Sequence, residues 1–364
     1  MMKIFWTILS FLCAFEAQSQ PYSAYTNARE EFYIFDNGAV NRVEAIKPLQ
    51  FKVGRNAVAY IDNGRNFKVF HAGEVTTVSD LFTTQFDVSD DLILYRSAKM
   101  ISVIDGSDVV LLSRLCERYA LGDSVVLFYD INKSTFNAYY NHQITELESF
   151  LSVDDQDFRF DITVKVSDNI GAYVNYNQQF KVFYNNEVST LEAFPPKQFQ
   201  TGRNLVAYLD ANNQFKIFHK GQTYTIDAFP PKSFTAGDDV VAFYSSDGYF
   251  KIFYDGKLHT IGYYEPDYSV ADRVVAFADA NGYFKAFYEG KEITIDNYYP
   301  SDYKASYNSL VYTNRSNVLR FFTKGTVYDI TSMTLDQVQL DYDVLQYKVG
   351  FNTYKMFYNG EFYN

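Results

Sequence analysis

Apolar residues along this chain come in runs of four to six, β-branched or aromatic, cut short by Asp, Asn, Gly and Ser before any helical period develops. The stretch 234–262 is representative. Phe234-Thr235-Ala236 is stopped by Gly237-Asp238, and Val240 to Tyr244 by Ser245-Ser246-Asp247-Gly248. Tyr249 to Tyr254 is stopped by Asp255-Gly256, and Lys257 to Ile261 completes the set. Asp255-Gly256 is a two-residue hairpin turn of the kind that accepts positive φ, and Asn37-Gly38 and Asn359-Gly360 stand at the same point of other stretches. Four short antiparallel strands are predicted here, and no window carries a helical period with caps.

The same pattern recurs along the chain. Phe-Lys-x-Phe-x-x-Gly runs from Phe67 to Gly73, Phe215 to Gly221, Phe250 to Gly256 and Phe284 to Gly290. With the letters relaxed to apolar types, its first position falls at Phe32, Phe67, Ile101, Phe136, Phe180, Phe215, Phe250, Phe284, Leu319 and Tyr354. The intervals are 35, 34, 35, 44, 35, 35, 34, 35 and 35 residues, so ten units run end to end with one insertion of about nine residues. A second aromatic stands seven residues earlier, as in Tyr60, Tyr208, Phe243 and Tyr312, or six earlier in Tyr95. A third stands about sixteen earlier, at Phe51, Tyr119, Phe199, Phe234, Tyr268 and Tyr303.

Four short strands per unit, repeated, resemble the blades of β-propeller proteins, over nearly the whole chain after its first twenty residues. The resemblance is to the architecture in general. There is no recurring Trp-Asp dipeptide, no Tyr-Trp-Thr-Asp and no Ser-x-Asp-x-Gly-x-Thr-Trp box, and Trp6 is the only tryptophan. The expected fold is all-β: a propeller of about ten units in one ring, or two smaller propellers divided near 141–163 or near Phe199. The first unit lacks its opening strand, and the last stops after a shortened fourth. Those ends suit closure by strand pairing, which would remove sheet edges.

The chain start reads differently. Lys3, the apolar stretch Ile4 to Phe15 and the small residues Ala17 and Ser19 form a secretory leader over residues 1–19, leaving 20–364 as the repeat domain. Leu12 is too large for a typical lipobox before Cys13. With Cys13 removed only Cys116 remains, so no internal disulfide is available. No stretch of 18 apolar residues exists to cross a membrane as a helix. Lys and Arg number 32 against 44 Asp and Glu, a formal charge of −12, which disfavours nucleic acid as a partner. Tyr and Phe number 33 and 34, too aromatic a composition for a disordered chain.

Candidate chemistry is sparse. A Lys follows the first Phe at positions 68, 181, 216, 251 and 285, and acidic or Asn residues stand five before that Phe, among them Asp62, Asn175, Asp210 and Asp279. Because both rows recur, a structural pairing to a neighbouring unit is expected rather than an anion channel. His71 and His219 alternate with Tyr at one repeat position, His142 replaces a hairpin Gly, and no His-x-x-x-His or Cys-x-x-Cys occurs, so no metal or other cofactor is expected. Asp-rich turns such as Asp210-Ala211-Asn212-Asn213 lack the Glu that completes a calcium loop and suit turn chemistry. No Gly-x-Ser-x-Gly or phosphate loop is present.

The remaining surface candidates are the connections between units. Tyr263-Tyr264-Glu265-Pro266 and Tyr298-Tyr299-Pro300 offer Tyr263, Tyr264, Tyr298 and Tyr299 as ligand contacts, or as rings folded over their own unit. The insertion, 146–165 with Asp154-Asp155-Gln156-Asp157, is the one large break in the repeat. The resulting reading is an exported, non-catalytic binding or scaffold protein, periplasmic or extracellular, presenting loops to a protein or glycan. Its rivals are a carbohydrate-active enzyme, glycosidase or lyase, with acids drawn from several units, and a multivalent lectin. Asp or Glu side chains converging at the ring centre with shifted pKa would favour the enzyme.

Overall fold

The computed structural model describes residues 21–79, 82–149 and 163–364. Ten antiparallel sheets follow one another in the chain, and each is a blade. Blade 1 covers 23–44, blade 2 50–79, blade 3 85–113, blade 4 116–149, blade 5 164–192, blade 6 198–227, blade 7 233–262, blade 8 268–296, blade 9 303–331 and blade 10 337–363. Blade 7 shows the plan: Ser233–Gly237, Val240–Tyr244, Phe250–Tyr254 and Lys257–Gly262 lie in that order from the axis outward. Its second strand is buried on both faces and its outermost alternates toward solvent. Blades 2 to 10 have four strands. Blade 1 has three among the described residues, the innermost being absent. Residues 1–20, with the leader expected over 1–19, and most of the insertion, with Asp154-Asp155-Gln156-Asp157, lie outside the described residues.

The three aromatic positions of the repeat meet at the blade interfaces. Phe180 on the third strand of blade 5 packs against Phe199 and Tyr208 on the first and second strands of blade 6, at 5.0 and 5.3 Å between ring centroids. The same triad forms from Phe215, Phe234 and Phe243, from Phe250, Tyr268 and Phe277, and from Phe284, Tyr303 and Tyr312. Each aromatic pair adds about 0.5–1.5 kcal/mol beyond the area it buries.

The repeating lysines are structural, with a partner set wider than the spacing suggested. Lys216 lies 2.9 Å from Asp210 in its own blade, and 2.7 Å from Glu192 on the outer strand of the preceding blade. Tyr208 donates to the same Glu192 at 3.0 Å. Lys68 with Asp62, Glu44 and Tyr60 repeats the node, and Lys181 with Glu148 and Tyr173 repeats its inter-blade part. The acid five residues before the Phe therefore belongs to the lysine's own blade, because it caps the turn between second and third strands. Asp210 Oδ1 accepts there from the backbone of Asn212 and Gln214. At Lys68, Lys181 and Lys216 the inter-blade acid is a different residue, while Lys251 pairs with Asp247 and Lys285 with Asp279 and Glu292 of their own blades.

The ring closes as one, and among the described residues blades 10 and 1 meet by face packing without the expected strand pairing. Tyr25 stacks on Tyr354 at 4.2 Å, Phe35 packs with Val344, Met356 and Tyr358, and Ser23 Oγ donates to Asp341 at 2.7 Å. No described strand of blade 10 pairs with blade 1, so the two edges meet through side chains.

Ten sheets around one axis crowd the turns between first and second strands. Gly54, Gly122, Gly202 and Gly237 share one position of those turns, and at each of them the backbone of the next blade stands where a Cβ would go. Ala271 occupies that position in blade 8. Gly202→Ala is expected to destabilise the protein by about 1–3 kcal/mol, because it drives a methyl into the Gly237 backbone. The reverse change at the same repeat position, Ala271→Gly, should cost no more than about 1 kcal/mol. Urea unfolding of the two variants measures the contrast.

Candidate functional site

Because the strands of a blade alternate in direction, the turns joining first to second and third to fourth strands share one axial face. The second-to-third turns and the blade-to-blade connections share the other. On the first face the inner turns bond to one another around the axis. Asn56 Nδ2 donates to Asp91 at 2.7 Å, Asp91 N to Asp123 O at 3.2 Å, and Ser124 N to Asp168 O at 2.9 Å. Asn169 Nδ2 donates to Asn204 at 2.7 Å and Asn204 Nδ2 to Asp239 at 3.0 Å. Asp238 N donates to Asp272 O, Arg273 N to Tyr307 O at 3.1 Å, and Tyr342 N to Ser306 Oγ at 3.1 Å. This belt runs from blade 2 to blade 10.

The residue after the crowded turn position is Arg55, Asp90, Asp123, Asp168, Arg203, Asp238, Asp272, Tyr307 and Tyr342 in successive blades. The belt aims these side chains at the axis, where residues of distant blades meet. The Arg55 guanidinium of blade 2 lies 4.5 Å from the Tyr307 ring of blade 9, and Arg273 lies 4.9 Å from the same ring. Arg203 reaches Asp168 at 3.2 Å. Burial pushes Asp168 up to about 7, the Asp238 charge adding to the push and Arg203 opposing it. Asp90 and Asp123 are both raised, chiefly by burial, with like charges adding to it, and Asp90 gains partial relief from Tyr342 and Arg55. Asp238 and Asp272 are raised in the same way. All five carboxyls hold their protons more tightly than a free carboxyl.

Three clefts open on this face between inner and outer turns. One of ≈ 390 Å³ holds Asp90, Asp91, Asp105, His71 and His142, and one of ≈ 370 Å³ holds Arg203, Lys220, Asp238, Asp239 and Glu289. The third, of ≈ 410 Å³, lies beside blade 1 and includes Arg55, Tyr307, Asn308 and Asp343. At the edge of the second cleft, which Asp239 lines, His219, Asp239 and Asp255 stand close enough to share a cation. Lys220 already holds that place, 2.6 Å from Asp255 and 3.4 Å from Asp239. His71 bonds the Asn56 carbonyl at 2.7 Å and His142 lies 3.4 Å from Asp105. Cys116 is buried, its thiol raised chiefly by burial, and its Sγ lies 3.2 Å from the Arg118 carbonyl.

The four tyrosines singled out in the sequence lie on the opposite face, and the structure separates them into two kinds. Tyr264 packs on Phe250, and Tyr299 packs edge-on to Phe284 with its hydroxyl 3.2 Å from that of Tyr303. Tyr263 and Tyr298 project, 72% and 50% exposed, against Tyr249 and Arg315. The converging aspartates were not singled out, because Asp, Asn and Gly between short strands read as ordinary turn residues. The usable signal was one repeat position filled in turn by Asp, Arg and Tyr beside a position held small.

A family model for the ten-bladed β-propeller domain matches residues 16–363, and the chain belongs to that family. No curated protein matches it. Among solved structures, the computationally designed Ika8 protein is similar at 17% identity, over 76% of this chain and 96% of its own, with a TM-score of 0.32. Human WBSCR16 aligns at 11% identity over 61% of this chain and 82% of its own, with a TM-score of 0.33. The CRINKLY WD40 ectodomain of the Arabidopsis thaliana receptor kinase ACR4 aligns at 7% identity over 64% and 89%, with a TM-score of 0.32.

The raised carboxyls give stability a definite pH dependence. An unfolded Asp loses its proton near pH 3.9, whereas the set holds protons toward neutrality, so this contribution is complete below about pH 4 and is lost as pH rises through about 7. Asp62 and Asp210 are shifted down by their Asn66, Lys68, Lys216 and backbone partners and act oppositely, below about pH 4. The melting temperature should therefore be higher at pH 5 than at pH 8.5. Asp123→Asn should raise it by a few degrees at pH 8.5 and change it little at pH 5, as scanning calorimetry at the two pH values will show.

Proposed function

We propose that this ten-bladed propeller is an exported binding module whose inner-turn face holds a glycan. The propeller fold is suited to binding and scaffolding in general, and the leader-like residues 1–19 support export. One observation carries the choice of face. Positions that build the ring repeat from blade to blade, whereas the residues lining the three clefts change from Asp to Arg to Tyr to His. A scaffold alone gives no reason for that variety. The clefts are rich in donors and acceptors of both charge signs, which suits hydroxyl-bearing ligands more than an apolar peptide segment. Tyr263 and Tyr298, on the opposite face, are a second contact surface for an extended partner.

A second reading has its own observation. Asp90, Asp123, Asp168 and Asp272 converge at the axis with raised pKa, the arrangement that favours a carbohydrate-active enzyme. Against it, these carboxyls sit in a belt that recurs around the ring, while a glycosidase needs one acid and one base set apart across a sugar.

A glycan array probed with the purified full chain, with parallel turnover assays on every sugar bound, separates the readings. Saturable binding without turnover is expected. Turnover abolished by Asp123→Asn would make the protein an enzyme. Silence on the array, with a protein captured from the native envelope, would replace glycan by protein.

A further inference from the structure

The belt of inner turns starts at Arg55 in blade 2 and ends at Asp343 in blade 10, and among the described residues blade 1 contributes no inner strand or turn. The ≈ 410 Å³ cleft lies at this interruption, with Pro21 of blade 1 on its wall. Two polar atoms there have no partner. Asn308 is only 6% exposed; its Nδ2 faces Asp343 at 3.5 Å, and its Oδ1 accepts from no described group. Arg55 Nε is likewise buried and donates to none, its guanidinium lying against the Tyr307 ring.

A buried acceptor or donor left unmade costs about 1–3 kcal/mol, and more where it is charged. Three other inner-turn amides on this face, Asn56, Asn169 and Asn204, are tied to the next blade. At Asn308 and Arg55 the deficit is of both kinds, one acceptor and one donor in a single cleft. The charges around them are mixed: Arg55, Arg273 and Lys324 against Asp343 and Glu289. A purely anionic or purely cationic ligand meets repulsion from one set. A hydroxyl, which donates and accepts at once, meets neither.

We infer that this cleft binds one neutral sugar ring, with neighbouring hydroxyls that donate to Asn308 Oδ1 and accept from Arg55. The inference rests on the glycan reading above and adds to it a location and a stoichiometry: one site per chain, where the ten-fold pattern is interrupted, in place of one site per blade.

The test is titration of the purified full chain with free glucose, galactose, mannose and N-acetylglucosamine, read by saturation-transfer NMR and calorimetry. At least one of these sugars is expected to saturate at one per chain, and Arg55→Ala or Asn308→Ala to weaken it by about tenfold or more, the loss of one good hydrogen bond to a charged or buried group. Because Asn308 is buried, each variant is first melted; if Asn308→Ala does not fold, Arg55→Gln decides alone. Several equivalents bound per chain, or an affinity unmoved in the folded variants, overturns the inference while leaving the glycan reading intact. No binding of any of the four sugars by the wild-type chain also overturns it, and the glycan array then decides whether the wider reading falls with it.

Discussion

Ten sheets sharing one axis have little circumference to share at their inner edge, and that shortage shapes much of the rest. Neighbouring inner turns touch backbone to backbone, and one position of the turns in blades 2 to 9 is small. It is glycine in blades 2, 4, 6 and 7, with Ser89, Ser167, Ala271 and Ser306 in the others, whereas Asp341 stands there in blade 10, which no described inner turn follows. Contact at that distance lets the turns hydrogen-bond across blades and satisfies backbone groups a wider spacing would leave to water. The next side chain along then has one direction left, toward the axis. Aspartates brought together there are desolvated and also carry one another's field, which is why Asp168 and Asp272 hold their protons into the neutral range and Asp238 is raised as well.

Farther from the axis the blades have room, and large side chains replace small ones. The aromatic triads fill the wedge between successive sheets, and the Tyr-Glu-Lys nodes tie the outer strand of one blade to the third strand of the next. A lysine bracketed by two carboxylates and a tyrosine bonded to one of them is a networked arrangement, stronger than an isolated surface pair. Blade 1 alone departs from the plan. Its Tyr25 stacks on Tyr354 with no described first-strand aromatic to complete the triad, and Ser23 bonds across to Asp341.

The three aromatic positions were legible because each recurs at fixed spacing and a period of about 35 residues admits few explanations other than stacked units. What the spacing hides is which blade a partner comes from. Lys216 has acids on both sides, and only the fold shows that Asp210 is its own blade's turn cap while Glu192 arrives from the neighbour. The axial aspartates were illegible for a related reason. Asp90 and Asp238 are far apart in sequence, each a plausible turn residue alone, and a ring is needed to bring their fields together. Closure by packing was equally hidden, since complementary strand counts at the two ends suggest pairing but do not require it.

Symmetry also tells where to look for function. A residue that recurs with the repeat has a sufficient explanation in the repeat, as Tyr264 and Tyr299 do in covering their own blades. A residue that differs among equivalent positions has none, and Arg55, Asp123 and Tyr307 are three different answers to the same geometric question. The strongest departure is at blade 1, where the described residues include no inner strand or turn. Other buried polar atoms lack a partner, Asn186 Oδ1 and Tyr264 OH among them, but Asn308 and Arg55 bring an unpartnered acceptor and an unpartnered donor to the walls of one cleft.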